Sequence, residues 1–69
     1  MRAKLIFYRK VKGLKQIELA KEVGVTEQKI STYETGRATP SKEIALKIAK
    51  ALRVNVKEIF PELNGKEKL

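Results

Sequence analysis

The sequence predicts an all-α fold, a compact five-helix domain, and three observations lead to this prediction. The chain has 69 residues, and a chain this short forms one small core, since it buries only about 60% of its unfolded surface. No segment keeps the alternation of apolar and polar residues that is typical of strands. Glycine and proline are sparse, and the segments between them have helical lengths. These interruptions are Gly13, Gly24, Gly36, Pro40, Pro61 and Gly65.

Each of the first three helices is expected to end at a glycine. They are predicted at residues 2–12, 16–23 and 27–35. Gly13, Gly24 and Gly36 follow them directly, and glycine commonly ends helices because it adopts the left-handed conformation without strain. Thr26 precedes the third helix and is a good N-cap. Apolar residues on one face of each helix are expected to pack in the core: Leu5, Tyr8, Val11, Leu19, Ala20, Val23, Ile30 and Tyr33.

The fourth helix follows a good capping residue, Ser41. Its apolar residues form one stripe at helical spacing. They are Ile44, Ala45, Ile48, Ala49 and Leu52. A fifth, short helix is expected at 56–60, where Asn55 and Glu58 have capping-box spacing and Pro61 favours an end.

One domain accounts for almost the whole chain. We expect it to span residues 1–63, with residues 64–69 as a frayed basic tail. The sequence shows no internal repeat and no low-complexity tract. We therefore expect no second domain that binds a small-molecule ligand.

The net charge of the chain is +8, from 16 Lys and Arg against 8 acidic residues, all of them Glu. A folded domain this basic is suited to a polyanion: DNA, RNA or an anionic membrane surface. The apolar run near the N-terminus is too short for a signal peptide or a membrane span, so we expect a cytoplasmic protein without membrane contact.

The residue types that the chain lacks argue against catalysis. It has no Cys, His, Trp or Asp, so it has no thiol nucleophile and no ordinary zinc, haem or iron–sulfur ligands. The usual catalytic triads and carboxylate–imidazole pairs are also excluded. We therefore expect no enzyme, no metal and no cofactor.

Residues 16–35 fit the pattern of a helix-turn-helix motif. Two helices that cross steeply need a small residue at the contact, and Ala20 occupies that place. The turn needs a residue that tolerates positive φ, and Gly24 lies four residues later. Apolar residues lie on both sides of the turn, as the facing surfaces require: Leu19, Val23, Val25, Ile30 and Tyr33. A generic helical hairpin explains the glycine alone but not the full set.

With this motif, the chain resembles the lambda repressor and Cro-like helix-turn-helix family, also called the xenobiotic-response-element type. The resemblance covers residues 5–60 and rests on these features: Arg9, Gly13-Leu14, Gln16, Leu19-Ala20, Val23-Gly24-Val25, Ile30, Tyr33-Glu34-x-Gly36, Pro40-Ser41, Ala49-x-x-Leu52 and Val56-x-x-Ile59. It implies five helices, with the third lying in the DNA major groove. Several family members are transcriptional repressors that act as dimers.

The outward side of the third helix supplies four candidate base-reading residues: Glu27, Gln28, Lys29 and Thr32. Gln28 can bond adenine N6 and N7, Lys29 can donate to guanine, and Thr32 can touch a thymine methyl group. Glu27 has two interpretations, because it either stabilises the helix N-terminus through the macrodipole or accepts from cytosine N4. Many relatives have Gln at this position, so the operator cannot be inferred by analogy.

Candidate phosphate contacts flank the third helix: Lys15, Gln16, Thr26, Thr35, Arg37 and Thr39. Gln16 resembles the family glutamine that reaches a backbone phosphate. The resemblance also implies a partly buried ion pair between Arg9 and Glu34, which suits the fork shape of a guanidinium.

The C-terminal part carries more apolar surface than so small a core needs. The candidates for a homodimer interface are Val56, Phe60 and Leu63; alternatively, Val56 and Phe60 close the core of a monomer. A dimer would set two recognition helices about 34 Å apart, one turn of DNA.

The predicted function is a sequence-specific regulator that binds double-stranded DNA, in the role of a repressor at a palindromic operator. One alternative is an antitoxin-type protein-interaction module with secondary DNA binding. Another is a basic protein that coats RNA or chromatin, which would show a steep salt dependence and little sequence preference.

Overall fold

The computed structural model describes residues 1–64, and in this part of the chain all regular secondary structure is helical. The elements are α1 Ala3–Val11, α2 Gln16–Val23, α3 Glu27–Thr35, α4 Lys42–Leu52, α5 Val56–Ile59 and α6 Pro61–Asn64. The all-α fold and the five predicted helices are confirmed. Within the described residues, no helix has the length and apolar character needed to cross a lipid bilayer.

The sixth helix, α6, begins where the sequence suggested an end. Pro61 is its first residue, and proline is favoured at this position because its fixed φ suits a helix and its missing N–H has no helical partner there. The proline therefore ends α5 and begins α6. The predicted tail, 64–69, starts at Asn64, the last residue of α6; the rest of it lies outside the described residues.

Short polar side chains cap three of the helices. Thr26 accepts a hydrogen bond from the Lys29 backbone N–H at 3.1 Å, and Ser41 accepts one from Ile44 at 3.2 Å. Asn55 accepts from the backbone N–H of Lys57. These bonds satisfy backbone donors that have no partner inside their own helices.

The turn between α2 and α3 has the geometry that its sequence indicates. Gly24 has a φ of +89°, a value that favours glycine. The backbone N–H groups of Gly24 and Val25 both donate to the Ala20 carbonyl, at 2.8 and 3.0 Å. Ala20 is buried, as a close approach of two helices requires.

One apolar core lies between the helices and fixes the position of α3. Its largest completely buried side chains are Phe60, Leu5, Leu19, Ile30 and Ile48. They come from all of the first four helices and from the junction between α5 and α6. Because α3 contributes Ile30 and Tyr33 to this core, its opposite side is left towards solvent. The expected burial of Val11 in the core is wrong, since this residue is 66% exposed.

Candidate nucleic-acid interface

The solvent side of α3 presents a row of polar side chains. Glu27, Gln28 and Lys29 are exposed and Thr32 is half-buried, while Ile30 and Tyr33 lie in the core. The four polar residues occupy the first two turns of the helix, the part that usually enters the major groove in this motif.

A shallow depression of about 300 Å³ lies beside these residues. Its lining consists of Thr26, Gln28, Lys29, Thr32, Tyr33 and Ala38. An amide, an ammonium group and hydroxyls therefore surround one concave surface, where they can bond a base edge or a phosphate. Ala38 was not predicted from the sequence as part of this surface. The signal that could have indicated it was its position two residues after Gly36, in the loop that follows α3.

Two threonines of α3 use their hydroxyl hydrogens within the helix. Thr32 Oγ1 donates to the Gln28 carbonyl at 2.9 Å, and Thr35 Oγ1 donates to the Thr32 carbonyl at 3.0 Å. A phosphate oxygen accepts hydrogen bonds and therefore needs a donor. In this rotamer the hydroxyl hydrogen of Thr35 is already bonded to the Thr32 carbonyl, so it is not directed at a phosphate. The thymine contact expected of Thr32 needs only its methyl group and is compatible with this bond. The Thr26 hydroxyl oxygen accepts the capping bond, so its hydroxyl hydrogen can still donate to a phosphate.

Arg37 lies just past the end of α3 with an exposed side chain. Its backbone N–H donates to the Thr32 carbonyl at 3.2 Å, and Gly36 before it has a φ of +83°. This arrangement is typical of a glycine-ended helix. It holds the Arg37 backbone while leaving the guanidinium free to reach out from the C-terminal end of α3.

Gln16 is held in place by a buried ion pair. The Arg9 Nε and Nη2 atoms donate to the two oxygens of Glu34 at 2.5 and 3.2 Å, and both residues are buried. Gln16 Nε2 donates to the same Glu34 carboxylate at 2.9 Å. The first residue of α2 therefore lies beside the C-terminal half of α3, with one amide hydrogen and the amide oxygen not used by this bond.

Lys15 precedes Gln16 and is exposed. A lysine side chain has no acceptor, so it cannot cap α2 as Ser or Thr would. The other half of a capping box is present, because Glu18 accepts from the Lys15 backbone N–H at 2.7 Å. The Lys15 ammonium group is thereby left towards solvent at the start of α2.

Thr39 lies in a different cluster from the one expected. Its hydroxyl accepts from Arg2 Nη2 at 3.0 Å and donates to Glu62 Oε2 at 3.2 Å. In this arrangement the hydroxyl hydrogen of Thr39 is directed at Glu62 rather than outwards. The expected phosphate contact of Thr39 stays a prediction, and it requires the hydroxyl to turn away from Glu62 or the backbone N–H to make the contact.

Arg2 organises this cluster and was missed by the sequence analysis. It pairs with Glu62 at 2.6 Å, and its guanidinium carbon lies 4.7 Å from the centre of the Phe60 ring. Its backbone N–H donates to the Glu34 carbonyl. The hydrogen bond from Arg2 holds the pKa of the Glu62 carboxyl below its usual value. Burial raises this pKa, but by less than the hydrogen bond lowers it. No local pattern could reveal these contacts, because Arg2 and Glu62 are 60 positions apart.

The three candidate dimer residues pack mainly on the chain's own core. Phe60 is completely buried, so it offers no surface to a partner while this fold is kept. Val56 and Leu63 are half-buried against the same core. Only the remaining exposed parts of these two side chains could meet a second copy.

The described residues contain no group of three or more carboxylate or other metal-ligating side chains that could hold a metal ion. Apart from the carboxylate of Glu27, the polar groups on the solvent side of α3 are amide, hydroxyl and cationic groups, which suit hydrogen bonding to nucleic acid.

The chain belongs to the helix-turn-helix family, whose family model matches residues 5–59. This match confirms the resemblance to the lambda repressor and Cro-like type, and it spans the motif and the helices around it.

Relatives of similar length carry the same designation. An uncharacterised HTH-type transcriptional regulator of Methanocaldococcus jannaschii is 43% identical over 60 residues, which are 87% of this chain and 91% of the relative. Another, of Methanothermobacter thermautotrophicus, is 48% identical over 61 residues, 87% of this chain and 88% of the relative. YgzD of Bacillus subtilis, named in the same way, is 40% identical over 48 residues, 70% and 73% of the two chains.

Proposed function

We propose that this protein is a transcriptional regulator that binds double-stranded DNA sequence-specifically by placing α3 in the major groove. The observation that carries the proposal is the exposed polar side of α3, where Gln28 and Lys29 line a depression together with Ala38. Family membership and the names of the relatives support it. Such a regulator acts in the cytoplasm, where it meets the chromosome.

In this proposal, the first turns of α3 read the bases. Gln28 bonds an adenine through N6 and N7, and Lys29 donates to guanine O6 or N7. The Thr32 methyl group touches a thymine methyl. Glu27 lies in the first turn of α3, where it stabilises the positive end of the helix dipole or accepts from cytosine N4.

Phosphate contacts hold the protein in register on the duplex. Gln16 is aimed by its bond to Glu34, and Lys15 lies next to it. Thr26 and Arg37 lie at the two ends of α3. These groups lie at three separate places around α3, which is how contacts to the backbone fix the orientation of a helix in the groove. The net charge of +8 adds long-range attraction to the DNA.

We further propose that two copies bind a palindromic operator as a homodimer and act as a repressor. Val56 and Leu63, at the C-terminal end of the fold, retain exposed surface for a second copy. Two recognition helices spaced one turn apart, about 34 Å, would read two half-sites and cover promoter DNA between them.

Selection of bound sequences from a random DNA pool at moderate salt tests this function. The expected result is an enriched palindrome with half-sites about one helical turn apart. The matched control is the Gln28→Ala, Lys29→Ala double variant, which changes only exposed residues and should lose the enrichment. An unenriched pool from the unaltered protein would contradict sequence-specific binding, and a single unpaired half-site would contradict the dimer alone.

A further inference from the structure

The outer side of α1 carries an apolar patch formed by Phe7 and Val11. These two residues are 59% and 66% exposed. They stand four residues apart, so they are neighbours on the helix surface. At roughly 100° per residue, both point about 160° away from Arg9, the residue that joins α1 to α3. The patch therefore faces away from the domain.

The Phe7 ring is supported from one side rather than loosely exposed. It meets the Tyr8 ring edge-on, with 5.2 Å between the centroids and 69° between the planes. Tyr8 packs against the core, and its hydroxyl donates to Glu58 at 3.4 Å. An aromatic side chain held in this way loses little conformational freedom on binding, and such residues commonly dominate the energy of protein interfaces.

The charge around the patch is entirely positive along the chain. Residues 1–16 contain no acidic residue, and they contain six cations: Arg2, Lys4, Arg9, Lys10, Lys12 and Lys15. Lys10, at one border of the patch, is exposed. Lys4, at the other border, keeps 64% of its side chain exposed although it pairs with Glu58 at 3.3 Å. The only described carboxylate bound at this border thus comes from α5.

We propose that this α1 patch, Phe7 and Val11 bordered by Lys4 and Lys10, is a docking surface for an acidic amphipathic segment of a partner protein. Apolar side chains of that segment cover Phe7 and Val11, and its carboxylates face the two lysines. A second copy is disfavoured as the occupant, because like charges would meet across the contact. DNA would satisfy the lysines but leave the Phe7 ring uncovered.

Partner and DNA can bind at the same time in this arrangement. The contact between α1 and α3 runs through the buried Arg9–Glu34 pair, on the opposite side of α1 from the patch. None of the residues proposed to contact DNA belongs to the patch. The protein would then bring an acidic partner to its operator, a property beyond DNA binding itself.

Display selection of random 15-residue peptides on the intact protein tests the docking surface. We expect the enriched peptides to be net acidic with apolar residues at helical spacing. A synthetic enriched peptide should bind at least tenfold more weakly to the Phe7→Ser, Val11→Ser double variant and clearly more weakly to Lys10→Glu. Leu46→Ser, which changes an exposed leucine of α4, is the matched control and should bind as the unaltered protein does.

Several results would overturn the proposal. One is an absence of enriched peptides, and another is equal binding to the Phe7→Ser, Val11→Ser variant. If that variant instead abolishes self-association in sedimentation experiments, the patch joins two copies. If it weakens DNA binding at least fivefold, the patch belongs to the DNA interface. All four altered residues are exposed, so the melting temperature of each variant should stay close to that of the unaltered protein.

Discussion

The guanidinium of Arg9 donates hydrogen bonds to both carboxylate oxygens of Glu34, a residue 25 positions later in the sequence. Arg9 Nη1 also donates to the Leu14 carbonyl at 2.8 Å, and Gln16 bonds the same carboxylate. One buried ion pair thus joins α1, the loop after it, the start of α2 and the end of α3. It positions α3, the proposed recognition helix, together with Gln16, a proposed phosphate contact.

Arg9→Met should destabilise the fold by about 3–5 kcal/mol, because it leaves the Glu34 carboxylate buried without its cation. Urea denaturation followed by circular dichroism would measure the loss. The control is Arg9→Met combined with Glu34→Leu, which removes both charges and should recover much of the stability. An unchanged denaturation midpoint for Arg9→Met would show that the pair contributes nothing.

Gln28→Ala should relax the preference at one base pair of each half-site and weaken binding there by about 1–3 kcal/mol. Its side chain is exposed and caps nothing, so stability should not change. Titration of the selected operator and of single-base variants would check this. The assignment of α3 as the reading helix fails if the variant weakens all DNA sequences equally.

Arg37→Ala should weaken binding to every DNA sequence and reduce the salt dependence by about one phosphate contact. The reason is that Arg37 lies at the C-terminal end of α3, where it can reach phosphate but is removed from the base-reading turns. Binding constants at a series of salt concentrations give the slope. Lys47→Ala, an exposed lysine of α4, is the comparison and should leave the slope nearly unchanged.

The Arg2–Glu62 pair should make part of the stability depend on pH. The pKa of Glu62 is lowered in the folded protein. The ionised carboxylate therefore stabilises the fold fully at pH values above the usual carboxyl pKa, and this stabilisation is lost as the pH falls through the lowered pKa of the folded protein. Because the Glu62 side chain is 44% exposed, we expect a small effect, within about 1 kcal/mol.

Comparison of the unaltered protein with Glu62→Gln isolates this effect from the other carboxyl groups. The difference in unfolding free energy should be present at pH 7 and shrink towards pH 3. A difference that stays constant over that range would rule out the charge as its source.

Arg53→Gly should stabilise the protein by about 0.5–1 kcal/mol. Arg53 ends α4 with a φ of +60°, a conformation that disfavours any residue with a side chain by roughly 1–2 kcal/mol. The greater freedom of glycine in the unfolded chain offsets part of that gain. Thermal unfolding would show a rise of a few degrees. Arg53→Ala keeps the strain and should show no rise.

Local patterns in the sequence were sufficient for the helices and for the motif. Capping by Thr26 and Ser41, the glycine at position 24 and the helical spacing of apolar residues all act over a few positions, so a single sequence displays them. The end of α4 was different, because Arg53 occupies a position where glycine is the usual signal. The Pro61 signal was ambiguous, since proline both ends one helix and begins another.

Individual site residues were harder to assign, because hydrogen bonds compete for each polar group. Thr35 and Thr39 each have a hydroxyl group that can donate a hydrogen bond. In the structure, however, Thr35 donates within α3 and Thr39 donates to Glu62. For Phe60 the sequence left two alternatives open, a dimer interface or the core of a monomer, and in the structure the core encloses its ring and Arg2 covers it. Each outcome depends on a neighbour that the sequence alone does not place.

By itself, the sequence determined the class of fold, the helix-turn-helix motif and the polar side of α3, because short-range spacing and capping govern these features. The family resemblance already implied the pairing of Arg9 with Glu34, but only the tertiary structure decided the other contacts. It fixed Arg2 between Phe60 and Glu62, and it left Phe7 and Val11 uncovered on α1. Such contacts join distant positions, and their energies arise from burial and approach that exist only once the helices have packed.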